Sequence, residues 1–466
     1  MVNGTGVKTS PAEGWYYSAE HRNTRIRTFS WVARRLPALR PVSFLPSLED
    51  YRARLDFQII SYRGKDIDRK FIDSWPDLIA RVRDWYDGLL TLSPEACRRV
   101  AELAYGCADP LSFAERAYEF CRDSIALAPG SPSVSAEGLR SATEVFTGRR
   151  GSPVEKNLLL LSLLHWAGLQ ADPILISTRD HLRFDQRDHR LDQLNHVLVR
   201  AMLGEDPVLL DASDPAGWFG LLPPSAWVDE GVLIASDKGA IIELPQPEVR
   251  HNSSLEIELW LDPDGTARGR MHGRLAGYRA WEWARRTAPA DFEQFLRSTL
   301  LSPTAKLHVL DIAIPKRAQS GTIDFAVGFF WEDAAAAGPE GLYFRPTGPG
   351  ALIENPLADP QRRFPVSFAY PYEDVARVVW HLPPGYAVAE IPRGGGRYTD
   401  DLTYTCRVSA TPQTVTVFRR LSVARRDFPN SAYGELQNFF DFIVDTDRDL
   451  AVGVRTDAPP PADAAR

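Results

Sequence analysis

The chain has 466 residues, 44% apolar and 25% charged, which is enough material for two or three buried cores and excludes a disordered or fibrous class. With 54 Lys and Arg against 61 Asp and Glu the net charge is −7, which argues against a general nucleic-acid binder. No run of 18 apolar residues offers a membrane span, and Cys97, Cys107, Cys121 and Cys406 have no zinc-ligand spacing.

Residues 1–15 read as disordered and contain no apolar stretch of the kind a secretory signal needs. Residues 16–65 carry extended pieces, IRTFSWVA and LDFQIISY, split by prolines as β-strands would be. From residue 66 the apolar spacing changes to three or four, the pattern of amphipathic helices through residue 128. Ser93-Pro94 and Asp109-Pro110 are expected helix starts, because proline suits the first helical position. Cys97, Cys107 and Cys121 fall in this region and are expected to act as small buried apolar residues.

The stretch SPVEKNLLLLSLLHWAG is apolar on nearly every face and closes at Gly168, so it belongs in the middle of a domain. Its opening Ser152, Pro153, Val154 and Glu155 spell a capping box with proline at the first position. Strands DPILIST, NHVLVRAML and DPVLLDA follow, which makes residues 66–248 an α+β domain. From 249 to 455 the pattern is β-rich. A hairpin is expected around Asp264-Gly265, a helix at 278–300, strands at 308–331 and 364–425, and a closing helix SAYGELQNFFDFIV. Residues 456–466 form a Pro/Ala tail expected to be disordered.

The segment GRRGSPVEKNLLLLSLLHWAGLQADPILISTRDH, then LNHVLV, then PVLLDASDP, resembles the transglutaminase-like superfamily. The resemblance is to bacterial proteins that join such a domain to the domain of unknown function 3857 and a C-terminal β domain, and it runs from about residue 25 to residue 453. It implies a papain-like α+β central domain, a remnant of an N-terminal β-sandwich domain and a C-terminal β-sandwich. In that family a cysteine opens the buried helix, a histidine follows on a strand, and an acid orients the histidine. Carried onto this chain, His196 matches the histidine and Asp211 the acid. The cysteine position falls on Pro153, with Ser152 beside it. A thiolate there would be favoured by the helix dipole and activated by the histidine. Proline has no nucleophile.

Each of these residues also has a plainer reading. His196 is more simply a histidine left behind after its partner was lost, because a base without a nucleophile has no covalent role. Asp211 serves equally as a turn acid in Asp-Ala-Ser-Asp-Pro. Ser152 stands one position from the expected nucleophile, where helix geometry misdirects its oxygen. Cys121 reads as a core thiol and His165 as a satisfied core histidine. His181 and His189 lie in a charged stretch that reads as a solvated connector rather than a metal loop. Trp218, Phe219, Tyr278, Trp281 and Trp283 read as core aromatics before they read as a cleft lining.

The expected function is a non-catalytic binding or scaffold protein of the cell envelope, a pseudoenzyme that holds a peptide, a protein or an envelope polymer in the old cleft. No cofactor and no metal is expected. The alternative is an active acyltransferase or peptidase-like hydrolase using another nucleophile. The resemblance implies periplasm, whereas the written N-terminus alone implies cytoplasm. A shortened N-terminal β domain would leave an open sheet edge near residues 25–60.

Overall fold

The computed structural model describes residues 2–3, 8–9, 15–22, 27–33, 38–56, 61–63, 68–70, 74–129, 133–235, 239–245, 251–286, 290–296, 298, 306–313 and 321–456. The chain mixes α and β structure and divides into two compact units. One comprises residues 1–42 and 46–247, the other residues 43–45 and 248–466.

In the first unit, Trp15–Arg22 and Arg27–Ala33 form an antiparallel pair, and short strands at Leu55–Asp56, Ser61–Arg63 and Asp68–Lys70 complete two small sheets. Residues 1–15, expected to be disordered, include Val2–Asn3 paired to Ser61 and Tyr62 and Lys8–Thr9 paired to Leu55 and Asp56. The rest of the stretch before Trp15 lies outside the described residues.

The helices begin where proline and its capping neighbour place them. Ser93 caps Pro94–Ala104 through the Ala96 amide, and Asp109 caps Pro110–Glu119 in a full capping box. The central helix, Pro153–Trp166, buries every residue from Val154 to Leu164. It packs against one face of a five-stranded antiparallel sheet through a core that includes Leu158, Leu175, Val197 and Val199. The strand order is Pro207–Leu210, His196–Met202, Ala171–Ile176, Glu230–Leu233 and Ala240–Glu243. Because side chains alternate along a strand, Ile174, Ile176 and Leu198 point to the other face, where they meet Leu222 and Ala226. Both faces of the sheet are therefore covered.

Three local expectations need correction. Helix Pro110–Glu119 passes into a π-helical turn at Phe120–Ser124, so Cys121 lies on a widened turn. Cys97 and Cys107 are only half-buried; Cys121 and Cys406 are buried. His165 is exposed, although its Nε2 meets the Ala171 carbonyl at 2.7 Å.

The second unit is built on an eight-stranded sheet in the order Leu307–Ala313, Thr322–Trp331, Ala267–Ala276, His251–Leu261, Tyr372–His381, Thr414–Val423, Leu402–Ala410 and Gly395–Tyr398. Its one parallel contact joins His251–Leu261 to Tyr372–His381. A four-stranded sheet holds Ala335–Ala337, Gly341–Phe344, Ala451–Arg455 and Tyr386–Glu390. Buried Trp380 links the two sheets, its ring 4.7 Å from Phe344, with Nε1 donating to the Pro346 carbonyl at 3.0 Å. The helix Tyr433–Arg448 buries Phe439, Phe440 and Ile443, the aromatic face expected to dock. Tyr278 and Trp281 are core residues on the short helix Tyr278–Ala284. The expected single helix over 278–300 is interrupted, with a second piece at Ala290–Phe295. The strands at 335–337, 341–344 and 451–455 were outside the expected runs.

Candidate functional site

The site begins at the cap of the central helix. Ser152 Oγ accepts from the Glu155 amide at 3.2 Å, and Glu155 Oε2 accepts from the Ser152 amide at 2.7 Å. The buried Glu155 carboxylate also takes the Arg140 amide at 2.8 Å and the Arg140 guanidinium at 2.7 and 3.1 Å. Burial works against its charge, but these donors outweigh burial and hold its pKa below the ordinary value. Ser152 is thus committed to capping.

One turn further, the helix presents Lys156 and Asn157, two polar residues at the head of a mostly apolar run. Neither was singled out in the sequence. Asn157 Nδ2 donates to Asp211 Oδ1 at 2.9 Å and to the Val197 carbonyl at 2.7 Å, while its Oδ1 accepts from the Ala212 amide at 2.8 Å. It therefore ties helix, histidine strand and acid turn together.

His196, at the start of its strand, faces Asp211 at the end of the next: Nε2 lies 2.8 Å from Asp211 Oδ2. The Ser213 amide adds a donor to Asp211 Oδ1 at 2.9 Å. Burial disfavours the Asp211 charge, yet His196, Ser213 and Asn157 together hold its carboxyl well below the usual range. Burial likewise disfavours a charged His196, and the Asp211 carboxylate overrides it and raises the imidazole. With Nε2 engaged by Asp211, Nδ1 is the nitrogen left for a proton transfer. Among the described residues no thiol or hydroxyl bonds the ring.

Pro153 shares a helical face with Lys156 and Asn157, since positions three and four apart align. Pro153 is thus on the side of the helix that carries Asn157 to Asp211. On this face Lys156 is fully buried, with Nζ donating to the Arg122 carbonyl at 3.2 Å. Burial lowers its pKa, while the nearby Cys121 and Asp211 oppose the shift. Burial pushes the Cys121 thiol up to about 12, the opposite of an activated nucleophile. Among the described residues the buried Tyr118 hydroxyl has no bonding partner, and it lies 2.7 Å from where a Cβ on Gly217 would stand.

The other sequence candidates lie elsewhere. His181 Nε2 meets the Asp192 carbonyl at 3.2 Å, and His189 packs edge-on against Trp75. Among the described residues no group of three or more potential ligands can hold a metal. Trp218 is buried, and Phe219 packs edge-on against Tyr118. A cavity of about 410 Å³, lined by Arg83, Asp87, His165, Gln170 and Asp172 among others, sits at the opposite end of the central helix from the cap.

Among the described residues no helix is long and apolar enough to cross a membrane. No curated protein matches this sequence. Among solved structures, the chain resembles a protein from Parabacteroides distasonis ATCC 8503 described as a "putative protease". The TM-score is 0.53 at 13% identity, covering 97% of this chain and 70% of that one, a likeness of fold alone. A family model for a Domain of Unknown Function with solved structure, DUF3858, matches residues 340–452.

Proposed function

We propose that this chain is a transglutaminase-like protein whose site has lost its thiol, and that it works by binding a peptide, a protein or an envelope polymer rather than by acyl transfer. The observation that carries this reading is the complete His196–Asp211–Asn157 network beside a helix start occupied by proline. A base with no nucleophile cannot form an acyl-enzyme. Ser152 is spent on the cap, and Cys121 is buried with a raised pKa. Placement in the cell envelope is part of the proposal and rests on the family resemblance alone.

Labelling with thiol- and serine-reactive probes tests it. The wild-type chain is expected to show no site-selective label that His196→Ala abolishes; such a label would sink the reading. The restoration variant Pro153→Cys supplies the positive control. Its thiol should alkylate as a thiolate with a pKa below the free value of about 8.5, and His196→Ala in that background should slow the reaction.

A further inference from the structure

The eight-stranded sheet has an open face that none of the foregoing uses. Along His251–Leu261 the odd-numbered residues from Ser253 are buried, and Glu256, Glu258 and Trp260 are exposed. Along Ala267–Ala276, Arg268, Arg270, His272 and Arg274 are exposed in the same alternation.

Pairing register sets these side chains in rows across the strands. Phe330 stands opposite Arg268, Arg268 opposite Trp260, and Trp260 opposite His381. Trp260 and His381 stack with ring centroids 5.3 Å apart and planes 7° from parallel. Two residues along the sheet from Glu258, a second row places Phe418 between Arg377 and Arg407. Trp260 and Phe418 are 39% and 40% exposed, which places two large rings on the same face of the sheet.

The charges on this face are not all internally balanced. Arg274 pairs with Asp324 at 2.6 Å and Arg420 with Glu373. Among the described residues Arg268, Arg377 and Arg407 bond no carboxylate. Arg377 stands opposite Glu256 and Arg270 opposite Glu258, whereas the cross-strand neighbours of Arg268 and Arg407 are aromatic, so these two guanidinium groups and the exposed rings form a cationic and aromatic strip.

We propose that this face binds an acidic polysaccharide, with sugar rings stacked on Trp260 and Phe418 and sugar carboxylates held by the neighbouring arginines. The C–H face of a pyranose packs on an aromatic ring, and guanidinium recognises carboxylate in a fork. Glu256 and Glu258 lie within the same face. They stand opposite Arg377 and Arg270, which offset their charge, and they accept hydrogen bonds from sugar hydroxyls, which both donate and accept. A peptide adding to a sheet uses edge backbone groups, whereas the face offers side chains alone. The inference is independent of the His196 site.

Affinity electrophoresis and calorimetry of the full chain with polygalacturonate test it, alongside a neutral galactan, polyglutamate and a single-stranded oligonucleotide. Polygalacturonate should bind, more weakly as salt rises, and Trp260→Ala and Arg268→Ala should each weaken binding by about tenfold, roughly 1.4 kcal/mol. Arg268 is exposed, so the thermal melt of Arg268→Ala should stay unchanged; Trp260 stacks on His381, so Trp260→Ala is assayed well below its own melting transition. The proposal is overturned if polygalacturonate does not bind, if neither substitution weakens it, or if galactan, polyglutamate or the oligonucleotide binds as tightly.

Discussion

At the scale of single residues, the chemistry of the site is set by what Asp211 is bonded to. Its carboxylate takes His196, Asn157 and the Ser213 amide, all in a buried setting. This arrangement makes stability depend on pH from two directions. The raised His196 contributes stability that is present below its unfolded pKa of about 6.5 and lost as pH rises through its higher folded value. The depressed Asp211 contributes stability present above about 3.9 and lost as pH falls toward its lower folded value. Asp211→Asn should therefore return the imidazole toward or below its ordinary value, as read by NMR titration. Its cost in urea unfolding should be larger near pH 6 than near pH 9. An unchanged His196 titration in that variant would show that Asp211 does not set it.

Lys156 and Asn157 show what was not legible at this scale. Both occur in a run that periodicity assigns to the core, and a polar residue in such a run signals only that some partner must exist. The partners are backbone groups and side chains 34 to 55 positions away in sequence. His196 and Asp211, by contrast, were singled out from short sequence runs by resemblance, and the two side chains do meet.

At the scale of elements, the start of the central helix was legible in full. Ser152, Pro153 and Glu155 specify a local structure through neighbours three residues apart, and the capping box forms as written. The tertiary addition is Arg140, which makes Glu155 more than a cap residue. Ser152→Ala should cost about 1 kcal/mol, as an ordinary cap does. Glu155→Ala should cost more, roughly 2–3 kcal/mol, because it also removes the acceptor of the Arg140 amide, while the part-exposed Arg140 guanidinium turns to water. Chemical denaturation of the two variants checks the order. Equal costs would mean that the Arg140 contacts add nothing net. The strands at 335–337, 341–344 and 451–455 were missed for the converse reason. They are three to five residues long; Ala335–Ala337 and Gly341–Phe344 form a short hairpin from an Ala- and Gly-rich stretch with little alternation, and Ala451–Arg455 pairs with remote strands.

At the scale of the molecule, the second unit is held by a buried charge network that no local pattern announces. Asp447, fully buried, accepts from the Leu352 amide at 2.8 Å, from Arg419 at 3.0 Å and from the Tyr404 hydroxyl. The Thr347 hydroxyl donates to its backbone carbonyl at 3.1 Å. These residues join the helix Tyr433–Arg448, two strands of the large sheet and the loop after Phe344, all within the stretch matched by DUF3858. Asp447→Ala should destabilise the chain by about 3–5 kcal/mol, since it leaves a buried arginine without its counter-charge. A loss under 1 kcal/mol in thermal or urea unfolding would show that Arg419 finds water instead. The segment 43–45 joins this unit in a similar way, through buried Arg362, whose guanidinium donates to the Ser43 and Phe44 carbonyls at 2.6 and 3.1 Å.

The sequence by itself determined the helix starts, the buried central helix, the three strands after it and the position of proline at the helix start, because each depends on residues a few places apart. Only the tertiary structure decided which polar groups meet: Asn157 with Asp211, Lys156 with the Arg122 carbonyl, and Asp447 with Arg419. Buried polar groups must find partners, but which ones they find depends on how distant segments are brought together in space.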